Sequence, residues 1–311
     1  MKIKFLPFAI FLLLISLILV TGCQSGNKRA PGTIDDKEAG EIKDRIETIK
    51  QVYYLCPSPA EMLSVIDIAD VSFDGGLLNP PGNADKYLDT KAQTLALGIY
   101  ITDLAYAALF GRHEETLDYL EVVRSVSEEV RLTGAINDEL IEKARNNVEY
   151  LDSLFTISNE AFINMLFFCE RNNRPNTIIL LSAGAFIESL YLGLSMIDDY
   201  ESAGYILTHI AEQKYAIDNL TVFAESLSEE DGNIASMLEQ MRPIKQIYDG
   251  VATGGGGVTI KTQDEASEDQ PKKLVIGGGD SSPPTLSPEQ FAKLKEETIL
   301  LRTILVEGST E

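Results

Sequence analysis

Tryptophan is absent from this chain of 311 residues, and histidine occurs only at His113 and His209. The missing indoles remove one common anchor for sugars and protein interfaces, although the 12 tyrosines could replace it. Neither histidine belongs to a Glu-x-x-His or His-Glu-x-x-His pattern. Ferritin-like di-iron sites and zinc-peptidase sites therefore have no support. His113 opens an acidic stretch and reads as a surface residue, and His209 reads as a partly buried one. Cations are scarce as well: 26 Lys and Arg stand against 48 Asp and Glu, a formal net charge of −22. Such a chain repels phosphate backbones, which argues against nucleic acid as a partner. It also repels anionic lipid head groups. The glycine run Gly254–Gly257 lacks the Lys-Ser/Thr ending of a phosphate loop, and no Gly-x-Ser-x-Gly nucleophile pattern occurs. No cofactor or metal is implied.

What is present begins at the N-terminus. Lys2 and Lys4 precede an apolar run from Phe5 to Val20, followed by Val20-Thr21-Gly22-Cys23. A basic start, an apolar middle and small residues before a cut define a secretory signal peptide. The run is roughly 16 residues, short against the ~20 of a membrane span. Small residues leading into cysteine resemble the lipobox of bacterial lipoproteins. The resemblance covers about the first 23 residues and implies cleavage after Gly22, with acyl chains placed on Cys23. Several chains anchor stably, since each buried CH₂ contributes ~0.8 kcal/mol. Losing residues 1–22 takes away Lys2 and Lys4 and no acid, so the formal net charge moves from −22 to −24. The lipid, not a basic patch, must then hold the protein to the membrane. In a Gram-negative host, Gln24 rather than aspartate after the cysteine implies the outer membrane. Export would also permit a disulfide between Cys56 and Cys169. Two buried free thiols fit the sequence equally well.

Residues 23–36 are rich in Gly, Ser, Asn and Pro and read as a tether. Residues 37–250 are patterned as helix almost throughout. Helices are expected over Asp36–Tyr54, from Ser58, over Ala84–Phe110, Arg112–Leu132, Asn137–Phe155, Ser158–Glu170, Pro175–Met196, Glu201–Ser226 and Glu229–Tyr248. The loop from Phe73 to Asn83 is turn-rich and carries two leucines, Leu77 and Leu78, that look exposed. Residues 251–286 are glycine-rich, with two β-like stretches, Val258–Thr262 and Lys272–Ile276, that could pair as a small hairpin. Ser287-Pro288-Glu289-Gln290 is a capping box that opens a terminal helix within residues 287–311. The expected fold is an all-α bundle of about nine helices with a small hairpin and a C-terminal helix.

Shifting the chain by 86 residues aligns Leu95, Gly98, Ile101, Leu104, Glu115 and Tyr119 with Leu181, Gly184, Ile187, Leu190, Glu201 and Tyr205. This suggests a duplicated helical hairpin about a pseudo-two-fold axis, with the glycines allowing close helix approach. Convergent apolar patterning would give similar matches. Each of the two apolar helices carries one acid, Asp103 or Glu188, among apolar neighbours. Buried acids need partners, and Tyr100, Tyr106 and Tyr191 could donate. The group could line a polar ligand pocket, or serve as an acid/base pair in a hydrolase or lyase. It could equally be a hydrogen-bond network that fixes helix register.

Beyond residue 23 the chain resembles the all-helical lipoproteins of bacterial envelopes in general style. No motif comes with that likeness, so no active site is carried over. The leading expectation is a non-catalytic envelope protein that binds a protein partner or scaffolds an assembly, with the Leu77–Pro81 loop presenting apolar groups.

Overall fold

Two stretches of this chain are apolar on nearly every side, and they become the two central helices, α1 (Thr90–Leu109) and α5 (Pro175–Ser195). A helix apolar all round must be covered all round. The computed structural model describes residues 58, 59, 63, 71–136, 138–146, 151–201, 203–252 and 283–307, all within one unit, Thr48–Glu311. Among the described residues the fold is all-α, with one isolated antiparallel bridge, Ala252 to Thr285. Both central helices are long and apolar enough to cross a membrane, with mean hydropathy 1.2 and 1.7, yet 83% and 89% of those windows are buried inside the bundle. Their amphipathic neighbours do the covering. Helices α2 (His113–Glu129) and α4 (Leu151–Arg171) pack on α1. Helices α6 (Gly204–Ser228) and α8 (Pro288–Glu307) pack on α5, and α7 (Gly232–Asp249) joins α6 and α8. A short helix, α3 (Asp138–Asn146), lies against α4.

The two central helices touch at glycine. A Cβ on Gly98 would lie 2.1 Å from the Leu181 carbonyl oxygen, and one on Gly184 would lie 2.1 Å from the Leu95 carbonyl oxygen. These contacts exchange under the 86-residue shift, so the crossing has local two-fold character. Thr102 sits beside it and donates to the carbonyls of Gly98 at 3.0 Å and Ala185 at 3.4 Å. The likeness fades outward: Tyr119 is buried, whereas its counterpart Tyr205 is 56% exposed.

Local signals set most helix ends. Asp89 caps α1 by accepting from the Ala92 N–H at 2.9 Å. Gly111, at φ 63°, ends it with Arg112 N–H on the Ala107 carbonyl and Gly111 N–H on Ala108. The same closure ends α2 at Arg131 (φ 58°) and α4 at Asn173 (φ 52°). Arg174 then donates to the carbonyls just past α2, Val130 at 2.8 Å and Arg131 at 2.9 Å. The capping box before α8 forms as expected: Ser287 N–H donates to Gln290 Oε1 at 2.9 Å, and Gln290 N–H to Ser287 Oγ at 3.2 Å.

Three expectations need correction. Helix α1 starts at Thr90, because residues 81–86 form a 3₁₀ turn and Asp89 holds the cap position. Ser158 does not start a helix; α4 runs through it, and its hydroxyl donates back to the Phe155 carbonyl at 2.7 Å. Leu78 is buried and Leu77 half-buried, so the 73–83 loop does not present them outward. Cys169 is a buried free thiol. Cys23, Cys56, the signal segment, the tether and both hairpin stretches lie outside the described residues.

Candidate functional site

Helix α1 points Asp103 into the bundle and α5 points Glu188 toward it, and both acids are fully buried at 0% exposure. A third charge meets them. Arg302 on α8 places Nε 3.0 Å from Glu188 Oε2 and Nη2 3.0 Å from Glu188 Oε1. This fork-to-fork pair is the strong geometry for a guanidinium and a carboxylate. Nη2 also donates to the Leu77 carbonyl at 2.9 Å, and the guanidinium lies 4.5 Å over the Tyr191 ring.

Asp103 is held differently. Its Oδ2 accepts from the Asn79 N–H at 3.1 Å, and its Oδ1 meets no donor. The Glu188 charge acts on it from the facing helix. Burial, then the Glu188 charge, pushes Asp103 well above the usual carboxylate range, against the pull of Arg302. Burial also raises Glu188, with Arg302 opposing it directly. Burial thus favours the protonated form of both carboxyls, and Arg302 counters this most directly at Glu188, where it makes two hydrogen bonds. Arg302 stays charged, because Glu188 and Asp103 outweigh the effect of its burial.

The tyrosines hold the chain's own loop. Tyr100 donates to the Pro80 carbonyl at 3.1 Å, and Tyr119 to the Asn79 carbonyl at 3.1 Å. The Asp74 N–H donates to the Tyr106 hydroxyl at 3.1 Å. The Asn79 side chain donates to the Tyr87 hydroxyl at 3.0 Å, which in turn donates to the Val306 carbonyl at 3.3 Å. Burial raises the pKa of Tyr87, Tyr100, Tyr106 and Tyr119, so these hydroxyls keep their protons.

The structure thus brings Asp103, Glu188, Tyr100, Tyr106 and Tyr191 into one connected region, and fills it from within. Arg302, Asn79, Tyr87 and Tyr119 complete the set and were not singled out from sequence. Arg302 had a readable signal: it is a lone charge in Thr298-Ile299-Leu300-Leu301-Arg302-Thr303-Ile304-Leu305-Val306, the pattern that marks Asp103 and Glu188. Asn79 had only a weak one, a polar residue wedged between Leu78 and Pro80.

His209 bonds through Nε2 to the Tyr205 hydroxyl at 2.8 Å and lies 3.3 Å from Glu212, as a half-buried surface group. His113 is half-buried at the start of α2. No cluster of three metal-ligating side chains occurs among the described residues. Compared with family models, curated proteins and solved structures, the chain matches none.

Proposed function

We propose that this chain is a membrane-anchored lipoprotein of the cell envelope whose helical domain binds or scaffolds a protein partner and performs no catalysis. One observation carries the non-catalytic part. The two buried acids that could have served as an acid/base pair are engaged by Arg302 and by the Asn79 backbone. A ligand or reaction at Asp103 and Glu188 would require Arg302 and the 74–80 segment to move out first. The anchoring part rests on Val20-Thr21-Gly22-Cys23 behind a basic, apolar leader. The network's role is then architectural: it ties α1, α5, α8 and the 74–80 loop together.

Two measurements test this. Metabolic labelling with an alkyne fatty acid should tag the wild-type chain, and Cys23→Ser should lose both the tag and membrane retention. An untagged wild type would end the lipoprotein reading. Cross-linking in intact membranes, followed by purification, should recover a reproducible protein neighbour; recovery of the chain alone would end the scaffold reading.

A further inference from the structure

A surface cleft of about 380 Å³ opens between residues 86–92, the Gln240 side of α7 and the end of α8. That volume falls in the ~300–1,000 Å³ range of small-molecule sites. Its walls divide by chemistry. Leu88, Leu95, Ile304 and Leu305 supply apolar surface, and Lys86 and Lys91 supply charge. Leu88 is 88% exposed and Ile304 37% exposed, so the apolar wall is left uncovered.

The lysines are unusual for this chain, which has 48 acids to 26 bases. Lys143 meets Glu160 at 2.7 Å and Lys245 meets Asp218 at 3.1 Å, while Lys295 donates to the Ile197 carbonyl at 3.1 Å. Lys91 donates to two neutral groups, Ser236 Oγ at 2.8 Å and Gln240 Oε1 at 3.3 Å. Lys86 makes no ion pair among the described residues. The acid in the lining is Asp89, and its Oδ1 is engaged by the Ala92 N–H. Burial lowers the pKa of Lys91 and Asp89 partly offsets this, so an added anion would restore what the ammonium lost on leaving water.

We propose that this cleft binds a single-chain carboxylate amphiphile, with the carboxylate on Lys91 and Lys86 and the alkyl chain along Leu88, Ile304 and Leu305. An anionic head suits two ammonium groups that meet no carboxylate among the described residues, and an alkyl chain suits an uncovered leucine and isoleucine. A purely apolar ligand would leave the lysines unanswered, and a small inorganic anion would leave Leu88 in water. The site stands apart from the Asp103–Glu188 pair and does not depend on Cys23.

The test uses the full chain in phosphatidylcholine nanodiscs and a dodecanoate carrying a terminal diazirine. Irradiation followed by peptide mapping should place the label on the segments holding Leu88 and Ile304–Leu305. Unlabelled dodecanoate should compete, and dodecanol should compete at least tenfold less well. The Lys86→Met/Lys91→Met variant should lose label at least tenfold. If that double variant melts early, Lys86→Met alone, at an exposed position, should still weaken labelling several-fold. Label mapping elsewhere, equal competition by dodecanol, or undiminished label in folded variants would each overturn the proposal.

Discussion

The Arg302 guanidinium meets both carboxylate oxygens of Glu188 at 3.0 Å, across 114 positions of the chain. Glu188 is completely buried and the Arg302 side chain is 13% exposed, so little water screens the pair. Removing one partner leaves the other as an uncompensated buried charge, which typically costs about 3–5 kcal/mol. Glu188→Gln and Arg302→Gln should each lose stability in that range by urea denaturation. Glu188→Gln/Arg302→Gln should lose clearly less than the two single losses added together. Strict additivity would mean the pair is not coupled.

Asp103 sets a pH dependence. Its pKa in the folded protein lies above the ~3.9 of the unfolded chain, so between those two values folding takes up a proton. The stability it contributes is present in full below the unfolded value and is lost as pH rises through the folded value. In Asp103→Asn, the amide oxygen can still accept from the Asn79 N–H, and no ionisable group remains at that position. That variant should fold and should gain on the wild type steadily as pH rises from about 4. A stability difference that stays flat from acid to alkaline pH would show that burial does not raise the Asp103 pKa.

Gly98 and Gly184 should tolerate no side chain. An added Cβ would lie 2.1 Å from a backbone carbonyl oxygen of the facing helix in each case, and backbone cannot swing aside. Gly98→Ala and Gly184→Ala should each destabilise at or above the upper end of the ~1–3 kcal/mol typical of overpacking. Gly232→Ala is the control, because an added Cβ there meets nothing within 4 Å. Thermal denaturation of the three variants checks this; equal melting temperatures would refute the close crossing.

Arg131 sits at φ 58° at the end of α2, where a side chain costs roughly 1–2 kcal/mol. Glycine relieves that strain but carries more unfolded-state entropy, so Arg131→Gly should stabilise by about 1 kcal/mol or slightly less. A clear loss of stability would show that the arginine side chain compensates for its own backbone.

Cys169 is buried, and burial pushes its thiol up to about 11. Thiolate is the reactive form, so Cys169 should resist alkylation by iodoacetamide at pH 8 in the folded protein. It should react readily in urea. Peptide mass mapping reads both states, and equal labelling would contradict the burial.

Much of the fold is legible in the sequence for local reasons. Ser287 and Gln290 form their reciprocal cap because both partners lie within one turn of chain. Pro175 opens α5 because its ring and missing N–H fit the first helical turn. Ser158 misleads for a related reason: a serine hydroxyl can cap a new helix or bond back within a continuing one, and packing on α1 selects the second. Leu77 and Leu78 mislead because a turn-rich loop resembles a surface loop until its carbonyls find Tyr100, Tyr119 and Arg302.

By itself the sequence determined the all-α character, the two fully apolar central helices, the glycines that let them touch and the isolated acids Asp103 and Glu188. These follow from periodicity and composition, which act over a few turns of helix. Only the tertiary structure decided what the acids face. Arg302 lies 114 positions from Glu188 and Asn79 lies 24 from Asp103, and no local pattern encodes such pairings. The low-dielectric interior forces buried charges and carbonyls to be answered, so packing brought the cation and the loop to the acids and turned a candidate pocket into a closed internal latch.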